Sequence, residues 1–128
     1  MKFQGKTALV TGGSTGIGRE IAKALAHHGA RIALVARSMS GLGESQKIIR
    51  AVGGEAEIFS ADLRDQTQIN KVVSDVLSLW GSIDILVNAA GVWHNDKIVY
   101  AGVPLVNTPA EQIDEVLDVG IRAPMHLT

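Results

Sequence analysis

Residues 11–18 read Thr11-Gly12-Gly13-Ser14-Thr15-Gly16-Ile17-Gly18, a segment called the glycine loop below. The loop follows a short apolar run of strand length, Thr7–Val10, and leads into a helical pattern over roughly Gly16–His28. Glycines let the main chain turn sharply and approach a ligand, and a helix N-terminus offers N–H groups and a positive dipole end. The segment therefore predicts an anion site. A glycine-rich turn without a ligand is the plainer alternative.

Two of the loop glycines are expected to be required for space. We expect Gly16 and Gly18 to stand where a Cβ would collide with a pyrophosphate or with the strand beneath the loop. The helix that follows carries regularly spaced residues on one face, namely Ile17, Ile21, Ala24, Leu25 and His28.

The composition predicts a soluble globular protein with one domain over residues 1–128. Its formal charge of −1 leaves no basic excess, so we do not expect it to bind nucleic acid. The chain has no cysteine, which excludes disulfides and thiolate zinc sites within it. We find no apolar run of the roughly 18 residues that a membrane span needs. The start Met1–Lys6 is not a signal sequence, and we expect a cytoplasmic protein without membrane contact.

Strand-like and helical patterns alternate along the chain. The strand-like runs are Thr7–Val10, Arg31–Ala36, Glu55–Ser60 and Ile83–Asn88. The helical patterns are Gly16–His28, a segment near Leu42–Val52, and one from Asp65 to Gly81. The third pattern begins with a capping box formed by Asp65 and Gln68. Its apolar stripe consists of Ile69, Val72, Val73, Val76, Leu77 and Trp80. This alternation predicts an α/β fold with a doubly wound parallel sheet, strand order 3-2-1-4, and ligands at the carboxyl ends of the strands.

Two motifs at the expected separation resemble those of the short-chain dehydrogenase/reductase family. The first is the pattern T-G-x-x-x-G-x-G, formed by Thr11, Gly12, Gly16 and Gly18, and the second is Asn88-Ala89-Ala90-Gly91. The resemblance implies a Rossmann-like, dinucleotide-binding N-terminal half of an enzyme that moves hydride between NADP(H) and a carbonyl or secondary alcohol. It places cofactor contacts at Gly12, Ser14, Thr15, Gly16, Ile17, Gly18, Asn88, Ala89, Ala90 and Gly91.

The residues at the end of the second strand indicate whether the cofactor is NAD or NADP. An NAD site of this type uses an Asp or Glu about 20 residues past the glycine loop to bind the ribose 2′-hydroxyl. No carboxylate lies between Glu20 and Glu44. Arg37 and Ser38 stand there instead, and a guanidinium with a hydroxyl suits a 2′-phosphate. These residues favour NADP over NAD, the alternative being that Arg37 is only a solvated surface residue.

The end of the third strand carries Asp62 and Leu63. By the resemblance, the aspartate holds the adenine end of the cofactor through its side chain and the next residue assists through its backbone. The alternative is that Asp62 is a loop residue ahead of the Asp65 cap.

The residues after Gly91 carry weaker signals. By the resemblance, Trp93, His94, Asn95 and Asp96 lie on a loop that faces the substrate side. No cluster of carboxylates and histidines supports a metal site or an acid–base role for His94. Lys97 and Tyr100 have the wrong order and position for the family's tyrosine–lysine pair, and they are interpreted as loop residues.

A last helix is predicted from Thr108-Pro109-Ala110-Glu111, with a threonine cap, a proline at the first position and a capping-box glutamate. Its core face is predicted at Ile113, Val116 and Leu117. Gly120 occupies the place of an asparagine that, in the family, belongs to the catalytic set and takes part in a proton relay. Pro124 cannot donate to the Gly120 carbonyl, whose oxygen could then hold a water, unless Gly120 only marks a kink.

The family's catalytic serine and Tyr-x-x-x-Lys pair would lie beyond Thr128. By the resemblance the domain is therefore expected to be incomplete, and these 128 residues alone are expected to self-associate and not to catalyse hydride transfer. Two alternatives stay open, a non-catalytic dinucleotide-binding module and an interaction domain with a vestigial loop. Nucleotide titration and turnover measurements separate the three.

Overall fold

The computed structural model describes residues 1–91 and 108–128. Its strands are β1 (Thr7–Thr11), β2 (Arg31–Ala36), β3 (Glu55–Ser60) and β4 (Ile85–Asn88). Its helices are α1 (Gly16–His27), α2 (Met39–Ala51), α3 (Gln66–Trp80), α4 (Ala110–Leu117) and α5 (Ala123–Leu127), with a π-helical turn at Asp118–Arg122 joining the last two. The interpretations of Trp93, His94, Asn95, Asp96, Lys97 and Tyr100 fall outside the described residues.

The four strands form one parallel sheet in the order β3-β2-β1-β4, which confirms the predicted fold class and strand order. Thr11 is in register with Val35 of β2 and with Asn88 of β4. The carboxyl ends of the strands therefore meet at one edge of the sheet, where loops can line a common crevice.

Helices cover both faces of the sheet, as a doubly wound fold requires. On one face, strand residues such as Val10 and Leu34 pack with Leu42 and Ile49 of α2. On the other, Leu9 and Val35 pack with apolar residues of α3 and α5: Ile69, Val72, Val76, Ala123 and Leu127. No helix within the described residues is both long and apolar enough to cross a membrane.

The most deeply buried residues of α1 are small, although Leu25 of the regularly spaced set also packs against the core. Gly18, Ala22 and Ala26 are buried, whereas Ile17 is 75% exposed and His28 is exposed. Small side chains let the helix lie close to the sheet. Ile17 is thereby turned outward toward the edge where the strands end.

The N-terminal caps of α2 and α3 correct one helix start and one capping box. α2 begins at Met39, and the Ser38 hydroxyl accepts a 3.2 Å hydrogen bond from the Gly41 N–H. The predicted start near Leu42 lies three residues after the observed one, because the Ser and Gly residues of the first turn are weak helix formers. Asp65 caps α3 as predicted, but Gln68 Oε1 accepts from the N–H of Asp62 instead of completing the capping box.

β4 begins at Ile85, not at Ile83, because Asp84 makes bonds of its own to the start of β1. Its carboxylate accepts from the Thr7 N–H at 2.8 Å, and its own N–H donates to the Thr7 carbonyl. This backbone donor lowers the pKa of the Asp84 carboxyl below its ordinary value.

The α4 region also departs from its prediction. Pro109 occupies the cap position without a side-chain hydrogen bond, and the helix starts at Ala110. Val116 and Leu117 are 39% and 38% exposed, so they do not form the core face. The buried apolar residues of this region are Val119, within the π-helical turn, and Ala123, at the start of α5.

Candidate dinucleotide-binding site

A crevice of about 690 Å³ lies at the carboxyl edge of the sheet. Its walls come from the glycine loop, the ends of β2, β3 and β4, and the π-helical turn. The lining residues are Gly12, Ser14, Thr15, Gly16, Ile17, Gly18, Ala36, Arg37, Ser38, Ala61, Asp62, Leu63, Ala89, Ala90, Gly91 and Val119. The fold thus brings most of the sequence-predicted binding residues together, while Asn88 and Gly120 are not among them.

Gly12 and Gly18 are required for close contacts within the protein. A Cβ on Gly12 would lie 2.7 Å from the Ala89 carbonyl carbon, and Gly12 has φ +70°. A Cβ on Gly18 would lie 2.1 Å from the Gly12 carbonyl oxygen. The collision expected at Gly18 is therefore real, but it involves the loop itself and not a strand beneath it.

Gly16 is required for a different reason. Its φ of +57° is the left-handed conformation that side chains disfavour, yet a Cβ there would meet no atom of the described chain within 4 Å. A Cβ at Gly16 would thus meet no strand, and the expected collision with a pyrophosphate stays a prediction. This open space is part of the crevice. The first N–H groups of α1 have no partner within the helix, so the N-terminus of α1 is suited to bind an anion there.

Arg19 joins the glycine loop to α2, a role that the sequence analysis missed. Its guanidinium donates to the Ser14 carbonyl, to the Gly41 carbonyl at 3.3 Å and to the Ser45 hydroxyl at 2.8 Å. The two segments approach so closely that a Cβ on Gly41 would lie 2.9 Å from the Ser14 Cβ. The loop is therefore held by a side chain outside the recognised motif.

Arg37 lies at the end of β2 with its side chain 57% exposed. The Ser60 hydroxyl donates to the Arg37 carbonyl at 3.0 Å, and Arg37 Nη1 lies 3.6 Å from Glu115 Oε1. Arg37 can therefore present a guanidinium to the crevice from a fixed backbone. The neighbouring Ser38 hydroxyl already caps α2, which the sequence did not suggest.

Asp62 lines the crevice beside Leu63 and is paired with Arg64. The Arg64 Nη2 lies 2.7 Å from Asp62 Oδ2, and the Arg64 backbone N–H also donates to the carboxylate at 3.0 Å. The hydrogen bond from the guanidinium holds the pKa of Asp62 below its ordinary value, although partial burial opposes the shift. Arg64 Nε also lies 3.0 Å from Asp62 Oδ1 and 3.1 Å from Oδ2, so a further donor, such as an exocyclic amine, would share this carboxylate with Arg64.

The β4 end is joined to β1 through Thr11. Its hydroxyl donates to the Val87 carbonyl and accepts from the Ala90 N–H, both at 3.4 Å. Asn88 is exposed and its backbone pairs in register with Thr11. The strand-bridging bonds that the structure records here come from the threonine, where the sequence analysis had considered the Asn88 amide.

Gly120 is exposed within the π-helical turn, where a Cβ would meet no described atom within 4 Å. Its predicted place in a proton relay stays a prediction. The neighbouring Val119 is the residue of this turn that lines the crevice.

The crevice can bind an extended molecule with two separated anionic groups. The N-terminus of α1 suits one anion and Arg37 suits a second. Asp62, Ala89 and Ala90 offer a hydrogen-bond acceptor and a surface of small residues along the same crevice. A dinucleotide fits this donor set, because its pyrophosphate and a 2′-phosphate lie at different points along one extended molecule.

Comparison with known proteins identifies the family. Residues 6–128 match the family profile described as short chain dehydrogenase. A short chain dehydrogenase of Pseudocercospora fijiensis is 43% identical over 99% of this chain and 40% of its own length. A metagenomic short-chain oxidoreductase solved with NADP matches with a TM-score of 0.89 and 38% identity over 99% of this chain and 55% of that one.

A short chain dehydrogenase of Burkholderia cenocepacia, also solved with NADP, matches with a TM-score of 0.87 and 36% identity over 99% of this chain and 49% of that one. The chain thus spans about half the length, or less, of these relatives. The match covers both motifs and all the described elements, and the chain therefore belongs to the short-chain dehydrogenase/reductase family.

Proposed function

We propose that the crevice binds NADP(H) and that it serves an oxidoreductase that transfers hydride between this cofactor and a carbonyl or secondary alcohol. The observation that carries the proposal is the position of Arg37, whose guanidinium stands on the crevice at the end of β2. No residue between Glu20 and Glu44 is acidic, so this segment offers no carboxylate for a ribose 2′-hydroxyl.

The remaining contacts follow from the donor groups of the crevice. The α1 N-terminus and the left-handed Gly16 accommodate the pyrophosphate, because backbone N–H groups can approach it without a Cβ between. Asp62 accepts from the adenine amine and Leu63 assists through its backbone. Ala89, Ala90 and Gly91 let the ribose and a flat ring approach the main chain closely. The two relatives solved with NADP support this choice of cofactor.

The cofactor supplies the hydride when it is bound, and the residues of this chain bind and orient it. The substrate is proposed to be a small carbonyl or alcohol, and the protein a cytoplasmic homo-oligomer. Since the chain spans only 40% of the P. fijiensis relative, turnover is a proposal for the whole protein. Position 120 is proposed to contribute through its backbone carbonyl, since glycine has no side chain that could relay a proton.

Calorimetric titration of the 128-residue chain with NADPH and with NADH tests the choice of cofactor. We expect NADPH to bind more tightly, because Arg37 adds a charge-assisted contact that NADH cannot make. Equal affinities for the two cofactors would contradict the proposal, and no binding of either would contradict dinucleotide binding altogether. An NADPH-oxidation assay over several ketones separates an enzyme from a binding module.

A further inference from the structure

We propose that Glu115 of α4 sets the discrimination between NADP(H) and NAD(H) by competing with the 2′-phosphate for Arg37. The inference rests on the proposed function and concerns the same crevice. Along the chain, no carboxylate stands near Arg37 between Glu20 and Glu44. The fold supplies one from α4, because Glu115 Oε1 lies 3.6 Å from Arg37 Nη1.

The two partners of this ion pair are not equally exposed. The Glu115 side chain is 18% exposed, whereas that of Arg37 is 57% exposed. Glu115 is thus the more sheltered partner, and Arg37 is the one that solvent or a ligand can reach. A phosphate that binds the exposed side of Arg37 must share the guanidinium with a carboxylate that is already in place.

The neighbouring arginines do not supply an unpaired positive charge that would attract a phosphate despite Glu115. The other two arginines of the region are held by their own acidic partners, since Arg64 pairs with Asp62 and Arg122 pairs with Asp118. Arg64 also feels the charges of Glu115 and Asp118, which contribute to raising its pKa. A 2′-phosphate therefore enters a region in which each arginine already has an acidic partner.

A dinucleotide without the 2′-phosphate does not compete with Glu115 for the Arg37 guanidinium. Arg37 can keep its ion pair with Glu115 while NADH is bound, because a ribose hydroxyl carries no charge. Neutralising Glu115 should therefore strengthen NADPH binding and leave NADH binding unchanged. Glu115 acts in this account as a specificity-determining residue that weakens binding of the phosphorylated cofactor.

The test is calorimetric titration of Glu115→Gln with NADPH and with NADH. We expect NADPH affinity to rise about two- to five-fold, the size of a partly exposed ion pair, with NADH affinity unchanged. The matched control is Glu111→Gln, which removes one negative charge from the exposed first turn of the same helix and should change neither affinity. In an Arg37→Ala background, Glu115→Gln should have no effect, because the shared cation is gone.

The outcomes separate this inference from the proposed function. Unchanged or weaker NADPH binding by Glu115→Gln would overturn the inference, as would an equal gain for both cofactors. An unmutated chain that prefers NADPH would leave the proposed function standing in each case. An unmutated chain that binds neither cofactor would overturn both. Glu115→Asp, which keeps the charge, guards against a folding defect and should retain most of the original cofactor ratio.

Discussion

Gly18 packs directly against the carbonyl group of Gly12, so closely that a Cβ on Gly18 would lie 2.1 Å from that oxygen. The contact folds the glycine loop back on the start of α1 and fixes the direction in which the first N–H groups of the helix point. Gly16 stands between these two residues and makes no such contact, since a Cβ there would meet no described atom within 4 Å. The three glycines therefore serve two different purposes, packing and ligand approach.

The first prediction is that substitutions at Gly18 and Gly16 lower the free energy of unfolding by different amounts. Gly18→Ala should lower the free energy of unfolding by about 3 kcal/mol or more, because the backbone must shift to accept the methyl group. Gly16→Ala should cost about 1 kcal/mol, which reflects only its left-handed backbone. Urea unfolding followed by circular dichroism measures both. Equal losses for the two variants would show that the Gly12–Gly18 contact is not tight.

The second prediction concerns Arg37. Arg37→Ala should weaken NADPH binding by about 1–3 kcal/mol, the range for a lost charge-assisted contact, and should change NADH binding much less. Arg50→Ala is the control, because Arg50 is also an exposed arginine in an ion pair, with Glu57, but does not line the crevice. If the two arginine variants bind NADPH equally well, Arg37 is only a surface residue.

The third prediction concerns acid stability. Arg64 lowers the pKa of Asp62 in the folded protein, so the folded state binds fewer protons than the unfolded state at acidic pH. The stabilisation is fully present above the unfolded pKa of about 3.9 and is lost as the pH falls through the lower folded pKa. Asp62→Asn and Arg64→Gln should both flatten the fall in unfolding free energy below about pH 4.

The control for this experiment is Asp75→Asn, which removes a carboxylate from an exposed ion pair with Lys71 on α3. Exposed pairs of this kind contribute little to stability. Denaturation midpoints measured between pH 6 and 2 compare the three variants. A pH profile of Asp62→Asn that is parallel to that of the unmutated chain would refute the prediction.

The fourth prediction concerns association. Met125 of α5 is 72% exposed and Ile121 is 53% exposed, and within the described sheet β4 pairs only with β1. Exposed apolar groups beside a strand edge promote association. We expect the 128-residue chain to self-associate in light scattering and Met125→Lys to reduce it. Val52→Lys, at a site 70% exposed on the other face of the sheet, should have no effect. A monodisperse monomer would contradict the expectation.

The sheet and most of the crevice follow from local sequence signals. Apolar runs of strand length alternate with helical patterns, and the right-handed crossover rule then leaves few strand orders. Because parallel strands end at one edge, residues that follow separate strands, such as Gly12, Arg37, Asp62 and Ala90, could be placed together before the structure was known. These residues do line one crevice.

The features that escaped prediction depend on contacts between distant segments. Arg19 bonds to α2, and Glu115 reaches Arg37 from α4, and neither pairing leaves a periodic pattern in the sequence. The burial of Ala22 and Ala26 in α1 was not predicted, because hydrophobic spacing gives more weight to large residues such as Ile17. The core face of α4 was misplaced because its sheltered residues include the polar Gln112 and Glu115, which a hydrophobic pattern does not mark.

The most direct test of the central claim, that a dinucleotide binds over the glycine loop, is NADPH titration of the unmutated chain beside Gly16→Val. The valine Cβ would lie in open space at the crevice, with no described atom within 4 Å. We predict that the unmutated chain binds NADPH, and that Gly16→Val keeps its circular dichroism spectrum but loses binding. A folded Gly16→Val chain that binds NADPH as tightly as the unmutated one would contradict the claim.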